Sequence, residues 1–229
     1  MTLTKKTTPL LLGAALLAIA ASAPAGAVKP FSANYTANYM GMQGTGKMTI
    51  AAAGANRWKY SLNIRSNVAQ LSQSTTFEDK NGEWRPLSGT DSSLLLIKRS
   101  NKTATYDWAK GEARWSGDVK AERAGPVKLK EGDMDALLVN LAIARDAAAG
   151  KPMNYRMVDD GRAKQMSWQV AGTESLTIGG TTKEATKVSR SDGDKQTVVW
   201  VVERLPVPAR ILQRKDGRDQ IDLKISSLK

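Results

Sequence analysis

The chain has 229 residues, a formal net charge of +12 at pH 7, and neither histidine nor cysteine. The two missing residue types exclude Ser-His-Asp and Cys-His nucleophiles, thiol redox chemistry, disulfides, haem held by histidine, and zinc sites with nitrogen or sulfur ligands. The positive charge favours anionic partners such as lipid head groups, acidic glycans or acidic protein surfaces, and the basic residues are too scattered to indicate nucleic acid.

The N-terminus has the pattern of a secretory signal. Two lysines precede an apolar stretch, residues 10–21, which is too short to span a bilayer. We expect residues 1–27 to be a signal peptide that is cleaved after Ala27, and residues 28–229 to form a single β-rich domain. Because no second long apolar run follows, we expect a mature chain without a transmembrane segment, located in the periplasm or secreted.

Alternation of apolar and polar residues predicts β-strands along most of the mature chain. Turn dipeptides containing glycine, such as Asn81-Gly82 and Asp216-Gly217, separate the alternating runs. About ten or more antiparallel strands should form a strongly curved meander or an incomplete barrel, because a flat sheet of that size is unfavourable. Four apolar faces are clear: Phe31, Ala33, Tyr35, Ala37 and Tyr39; Trp58, Tyr60, Leu62 and Ile64; Met166, Trp168 and Val170; and Ile221, Leu223 and Ile225.

Between the first two predicted strands, residues 41–48 read GMQGTGKM and match the Gly-x-x-x-x-Gly-Lys spacing of a phosphate-binding loop. That loop needs a Ser or Thr where Met48 stands, and it must connect a strand to a helix. Here the alternation continues on both sides, so we interpret the segment as a hairpin connection. Its three glycines, Gly41, Gly44 and Gly46, are what a tight or bulged turn requires.

Residues 133–150 break the strand pattern with a helical period. We expect one central helix over about 134–149, with Asp133 as its N-cap and Gly150 followed by Pro152 at its end. The apolar residues lie on two opposite sides, so the helix should sit within the curve of the sheet or plug one of its open ends. One side carries Met134, Leu137, Leu138, Leu141 and Ala148, and the other carries Val139 and Ile143.

Acidic residues cluster at two places. Glu131, Asp133 and Asp135 lie around the start of the helix, and Asp159 and Asp160 form the second cluster. Helix capping explains the first cluster and a turn explains the second. A weak cation site at the first cluster and a glycosidase-like pair of carboxylates anywhere in the chain are the alternatives. We assign no catalytic residue, no metal ligand and no cofactor.

The aromatic residues pose the main functional question. Inward side chains of a curled sheet line either a packed core or an apolar cavity, and periodicity does not distinguish the two. If the interior is hollow, the candidate ligand-lining residues are Trp58, Tyr60, Leu137, Leu141, Trp168 and Trp200.

The order of several motifs resembles a bacterial envelope family called domain of unknown function 3108. The segments that carry the resemblance are TFEDKNGEWRPLS (76–88), TYDWAKGEARW (105–115), the helix DALLVNLAIARDAAAG (135–150), VAGTESLTIGGTTKEATKVSR (170–190) and WVVERLPVPARILQRKDG (200–217). The resemblance implies an exported, β-rich protein with one central helix. It implies no established reaction and no catalytic residues.

Three functions remain open at this point. The first hypothesis is a periplasmic protein without catalytic activity that buries an apolar or amphiphilic ligand, with Lys and Arg side chains at the rim contacting an anionic head group. The second is a module with a fully packed core that binds another envelope protein. The third is an enzyme that acts on glycans through carboxylates. The partner is accordingly a lipid or amphiphile, or an envelope protein, and the oligomeric state is left open.

Overall fold

The computed structural model describes residues 28–228, so the predicted signal peptide and its cleavage site lie outside the described residues. Within this range, fourteen antiparallel strands form one nearly closed sheet. The prediction of a mainly β chain, strongly curved and with one central helix, is confirmed. The strands are β1 (Phe31–Tyr39), β2 (Met42–Gly54), β3 (Arg57–Arg65), β4 (Ala69–Lys80), β5 (Glu83–Leu95), β6 (Lys98–Asp107), β7 (Glu112–Gly117), β8 (Val127–Lys128), β9 (Met153–Asp159), β10 (Arg162–Ile178), β11 (Thr181–Asp192), β12 (Lys195–Val201), β13 (Arg210–Lys215) and β14 (Arg218–Leu228).

The first and last strands meet in the middle of the sheet, because β1 pairs with β14. The strand order in the sheet is therefore β8 to β1 in descending order, followed by β14 to β9 in descending order. This order makes β8 and β9 the two edge strands. The helix α1 (Ala136–Ala148) lies between them in the sequence.

The two edges approach each other and nearly close the sheet into a barrel. Met134 accepts a hydrogen bond from the N–H of Val158 at 2.8 Å and donates its own N–H to the carbonyl of Arg156 at 3.2 Å. The guanidinium of Arg156 donates to the carboxylate of Asp133 and to the carbonyl of Lys128, the latter at 3.2 Å. We call this line of contacts the seam.

The helix α1 lies inside the curl, as its two apolar sides predicted. Over residues 28–228, no helix combines the length and the apolar character needed to cross a lipid bilayer. Both predicted sides contribute buried residues, but Ala148 of the first side is exposed. The residues that α1 buries are Leu137, Leu138, Val139, Leu141, Ala142, Ile143, Ala144 and Asp146.

The predicted N-cap of α1 was wrong by two residues. Asp135 caps the helix, because its carboxylate accepts the backbone N–H of Leu138 at 2.9 Å. Asp133 cannot take this role, since the backbone between it and the helix is extended and Met134 pairs with β9. Instead, the carboxylate of Asp133 accepts hydrogen bonds from the backbone N–H of Lys130, at 2.7 Å, and from the guanidinium of Arg156 in the seam.

The GMQGTGKM segment is a hairpin connection, as predicted, in which Met40 and Gly41 form a two-residue turn between β1 and β2. The prediction was wrong for Gly44 and Gly46, which lie within β2. At Gly44 the reason for glycine is packing, because a Cβ atom there would come within 2.5 Å of the carbonyl oxygen of Arg65.

Val170 does not share the buried face that was predicted for it. Its side chain is 62% exposed, whereas Trp168 on the same predicted face is buried. The pairing of β10 with β11 shifts register between Val170 and Gly172, so the simple alternation is interrupted there.

Candidate functional site

The helix α1 occupies one half of the curl and leaves the other half free. At its start, the Asp135 carboxylate accepts a hydrogen bond from the hydroxyl of Thr75, in the middle of β4. Near its end, Arg145 donates to the carbonyl of Gly82, in the β4–β5 turn, at 2.9 Å. The helix therefore runs toward the end of the barrel that carries the β4–β5 turn. We call the opposite end, with the β1–β2, β3–β4 and β5–β6 turns, the open end.

At the open end, the inner face of the sheet surrounds a cavity of about 270 Å³, which we call the chamber. Strands β1 to β5 and β14 line it, mostly with apolar side chains. Gly44 is part of this wall, where its missing side chain allows the close approach to Arg65. The lining includes Ala37, Tyr39, Met42, Ile64, Leu71, Leu95, Ile221 and Leu223.

A second cavity, of about 190 Å³, adjoins the chamber along β4 and β5, and we call it the acidic cleft. Leu71 and Ser93 are cross-strand partners in the chamber wall. The next pair on the same face, toward the β4–β5 turn, is Gln73 and Asp91. These two residues line the cleft, and the side-chain amide of Gln73 donates a hydrogen bond of 3.1 Å to the carboxylate of Asp91. The cleft also carries the carboxylates of Asp135, Asp159 and Asp160, the amine of Lys102 and the hydroxyl of Thr75.

Asp135 is the most deeply buried carboxylate of the cleft. Burial raises its pKa to about 6, although the hydrogen bonds from Thr75 and from the backbone N–H of Leu138 oppose that rise. The sequence placed Asp135 near the helix start, but its contact with Thr75 depends on a strand that lies far away in the chain. The residue therefore both caps α1 and attaches it to β4.

Asp159 lies at the other side of the cleft, at the end of β9. Burial, followed by the negative charge of Asp135, raises its pKa to about 7. From the sequence, we assigned these two aspartates to separate clusters, one explained by helix capping and the other by a turn. The turn was confirmed at Asp160 and Gly161. The juxtaposition of the two carboxylates was missed, because it depends on the path of the chain across the seam.

The first acidic cluster does not form the cation site that was considered for it. Glu131 pairs with Arg85 at 2.6 Å, Asp133 belongs to the seam, and Asp135 caps α1, so the three carboxylates serve separate contacts. In the part of the chain that the structure describes, no group of three or more acidic side chains is placed to hold a metal ion.

The six candidate ligand-lining residues belong to the main hydrophobic core or pack against it. Their contact with a ligand stays a prediction, and the walls of the chamber add a different set of residues. Of the six, Leu137 also lines the acidic cleft. Trp58 is half-buried, and the five others are buried: Tyr60, Leu137, Leu141, Trp168 and Trp200.

Trp200 is held by polar groups of the protein itself. Its indole N–H donates to the carboxylate of Glu174 at 3.1 Å. The guanidinium of Arg210 lies 4.5 Å from the ring centre and the amine of Lys187 lies 5.4 Å from it. These cross-strand neighbours place Trp200 on a face that carries charge.

The solved structures that are similar to this chain include the following three. The first is a β-barrel-like protein of the family DUF1849 from Brucella abortus, with a TM-score of 0.49 and 12% identity over 87% of this chain and 97% of that one. The second is MucB, with a TM-score of 0.39 and 9% identity over 87% of this chain and 52% of that one. The third is the Pseudomonas aeruginosa MucA/MucB complex, with a TM-score of 0.34 and 8% identity over 87% and 51%. This chain thus spans about half the length of the matched chains in the second and third structures.

No curated protein sequence matches the chain. A family model does match it, over residues 34–224, a range that contains strands β2 to β13, the helix α1 and most of β1 and β14. The chain therefore belongs to the family described as Protein of unknown function (DUF3108).

Proposed function

We propose that this protein is an exported periplasmic protein without catalytic activity, which binds an apolar or amphiphilic ligand of the bacterial envelope in the chamber. The observation that carries the proposal is an apolar cavity of about 270 Å³ at the end of the barrel that α1 leaves free. The signal pattern of residues 1–27 supports the periplasmic location.

The chemistry of the chamber favours a hydrocarbon chain. Its walls are mainly aliphatic and aromatic side chains, and transfer of an apolar chain from water to such a surface is favourable by about 25 cal/mol per Å². Pockets for small ligands usually begin at about 300 Å³, so the chamber suits a narrow, flexible chain better than a bulky ring system. An acyl chain has that shape.

The neighbouring acidic cleft suits the polar end of the same ligand. The sequence suggested that basic residues would surround an anionic head group, but in the cleft Lys102 faces four aspartates. Because carboxylates outnumber amines in the cleft, it favours a neutral hydroxyl group or an amine over a phosphate. The buried indole N–H of Trp115, which has no hydrogen-bond partner within residues 28–228, adds a donor for an oxygen of the ligand.

The first test is native mass spectrometry of the protein, expressed from its full sequence and recovered from a bacterial periplasm without detergent. We expect a stoichiometric adduct with the mass of a lipid, which solvent extraction would then identify. The apoprotein should also take up a fluorescent monoacylglycerol, which has an acyl chain and a neutral head group, with emission that rises as the probe enters the chamber. A protein that carries no lipid and takes up no probe would contradict the proposal.

A matched pair of variants tests the location of the site. Ser93 lies in the chamber wall, and Ser92 belongs to the opposite face of the same strand. Phenylalanine is favourable in strands, so neither substitution should prevent folding. We expect Ser93→Phe to fill the chamber and weaken binding of the monoacylglycerol probe by about tenfold or more, and Ser92→Phe to leave it within about twofold. Equal binding by the two variants would place the ligand elsewhere.

A further inference from the structure

The β5–β6 turn at the open end exposes two large apolar residues. Leu96 and Ile97 connect the strands, and their side chains are 69% and 97% exposed. Four other two-residue turns of the described chain use residues suited to turns: Asn81-Gly82, Asp160-Gly161, Gly179-Gly180 and Asp216-Gly217. The Met40-Gly41 turn, also at the open end, shares the departure, because the side chain of Met40 is 59% exposed at a φ of +50°.

Leu96 is unfavourable at this position for two reasons. Its φ angle is +55°, in the left-handed region where glycine or asparagine is less strained than leucine. Its side chain also remains in water, as does that of Ile97. Neither residue contributes to the core, and turn chemistry would select a glycine and a polar residue instead. A surface of this kind indicates contact with an apolar environment outside the protein.

The outer face of the sheet next to this turn is basic. Arg65 and Arg99 lie in one row across β3 to β6, and both line a surface depression of about 250 Å³. Lys98 follows the turn directly and is exposed. Within residues 28–228, these three side chains form no ion pair with a carboxylate. The neighbouring segment, residues 28–77, contains no Asp or Glu at all.

We propose that the β5–β6 turn docks on the surface of a bilayer that contains anionic phospholipid. Leu96 and Ile97 would enter the interfacial region, and Arg65, Lys98 and Arg99 would contact the lipid phosphates. Apolar side chains flanked by basic residues are the combination that binds anionic membranes. The inference does not depend on the chamber being occupied, but docking in this way turns the mouth of the chamber toward the lipid.

Vesicle flotation tests the docking. The protein, expressed from its full sequence and recovered from the periplasm, is mixed with vesicles of phosphatidylglycerol and phosphatidylethanolamine, or with vesicles of phosphatidylcholine alone. We expect it to float with the anionic vesicles and to float much less with the neutral ones. Salt at about 0.5 M should reduce flotation by screening the basic side chains. A protein that stays unbound with anionic vesicles at low salt would overturn the proposal.

The decisive variant carries Leu96→Gly and Ile97→Ser, because a Gly-Ser turn suits a hairpin and the hairpin should fold at least as well. We expect its binding to anionic vesicles to fall by about tenfold or more. Val170→Ser removes an apolar side chain that is also exposed but lies on β10, and should bind as the parent does. Equal binding by the Gly-Ser variant and the parent would overturn the proposal.

The basic residues have their own matched pair. Arg65→Gln with Arg99→Gln removes two charges beside the turn, and Arg57→Gln with Lys183→Gln removes two exposed charges from other strands. We expect the first pair to weaken binding to anionic vesicles and the second to leave it close to the parent. Ser93→Phe, which blocks the chamber, should dock normally, so a failure of the proposed ligand site and a failure of docking are distinguishable.

Discussion

Replacement of Arg156 by methionine is expected to lower the free energy of unfolding by about 3–5 kcal/mol. The guanidinium of Arg156 binds the carboxylate of Asp133, whose side chain is only 1% exposed. One oxygen of that carboxylate already lacks a hydrogen-bond partner in the described chain. Loss of the cation would leave a buried negative charge without compensation, and it would also remove the contact with Lys128 across the seam. Urea denaturation followed by tryptophan fluorescence measures the loss.

Two further variants show whether the cost comes from the buried charge. Arg156→Met combined with Asp133→Asn removes both charges, and we expect it to recover most of the stability. Arg85→Met breaks the ion pair with Glu131, which is 61% exposed, and should cost less than about 1 kcal/mol. Hydrogen exchange should show faster opening of β9 in the single Arg156 variant. A cost below about 1 kcal/mol for that variant would mean that the seam does not depend on Arg156.

The protein is expected to be more stable at about pH 5 than at about pH 8, opposite to the usual effect of carboxylates. The pKa values of Asp135 and Asp159 rise to about 6 and about 7 on burial in the acidic cleft. The folded state therefore holds these protons more tightly than the unfolded state, in which aspartate has a pKa of about 3.9. Stability is lost as the pH rises through the folded-state pKa values. At about 1.4 kcal/mol per pKa unit, Asp159 alone should contribute about 2–4 kcal/mol to this loss.

Thermal unfolding between about pH 4.5 and pH 8 measures this dependence. Asp159→Asn removes the group that titrates, so the slope should flatten and the variant should be more stable than the parent at about pH 8. Asp160→Asn is the matched control, because Asp160 is more exposed and pairs with Lys102 and Arg123. It should leave most of the slope unchanged. A parent protein whose stability rises steadily over this range would contradict the burial of the two carboxylates.

The architecture was accessible from the sequence because its signals are local. The alternation from Phe31 to Tyr39 and the glycine turns specify antiparallel strands, and the two apolar sides of residues 134–149 place the helix inside them. The boundary of that helix was less accessible. Asp133 and Asp135 are both good N-caps, and the choice between them is made by the pairing of Met134 with β9, which is a tertiary contact.

The chamber and the cleft were beyond the reach of sequence patterns. Leu71 in the chamber wall alternates in the same way as Phe77 in the packed core, and only the position of α1 along the barrel leaves one region free. For the same reason, the six candidate residues were chosen from apolar faces that the core fills. The Leu96-Ile97 turn did carry a local signal, since an apolar pair there departs from what hairpin turns require. Its exposure became evident only from the structure.

The seam has a consequence for how copies of this protein behave toward one another. A long bare edge in a molecule made largely of strands is a template for aggregation. Here β8 has only two residues. The chain on either side of it is held by two hydrogen bonds of 2.8 Å, from the N–H of Leu129 to the carbonyl of Gly111 and from the N–H of Trp115 in β7 to the carbonyl of Ala124. Met134 covers β9 on its outer side. Within the described residues, one edge strand is thus very short and the other is partly covered, so neither offers the long bare edge on which further copies of the chain could add strands.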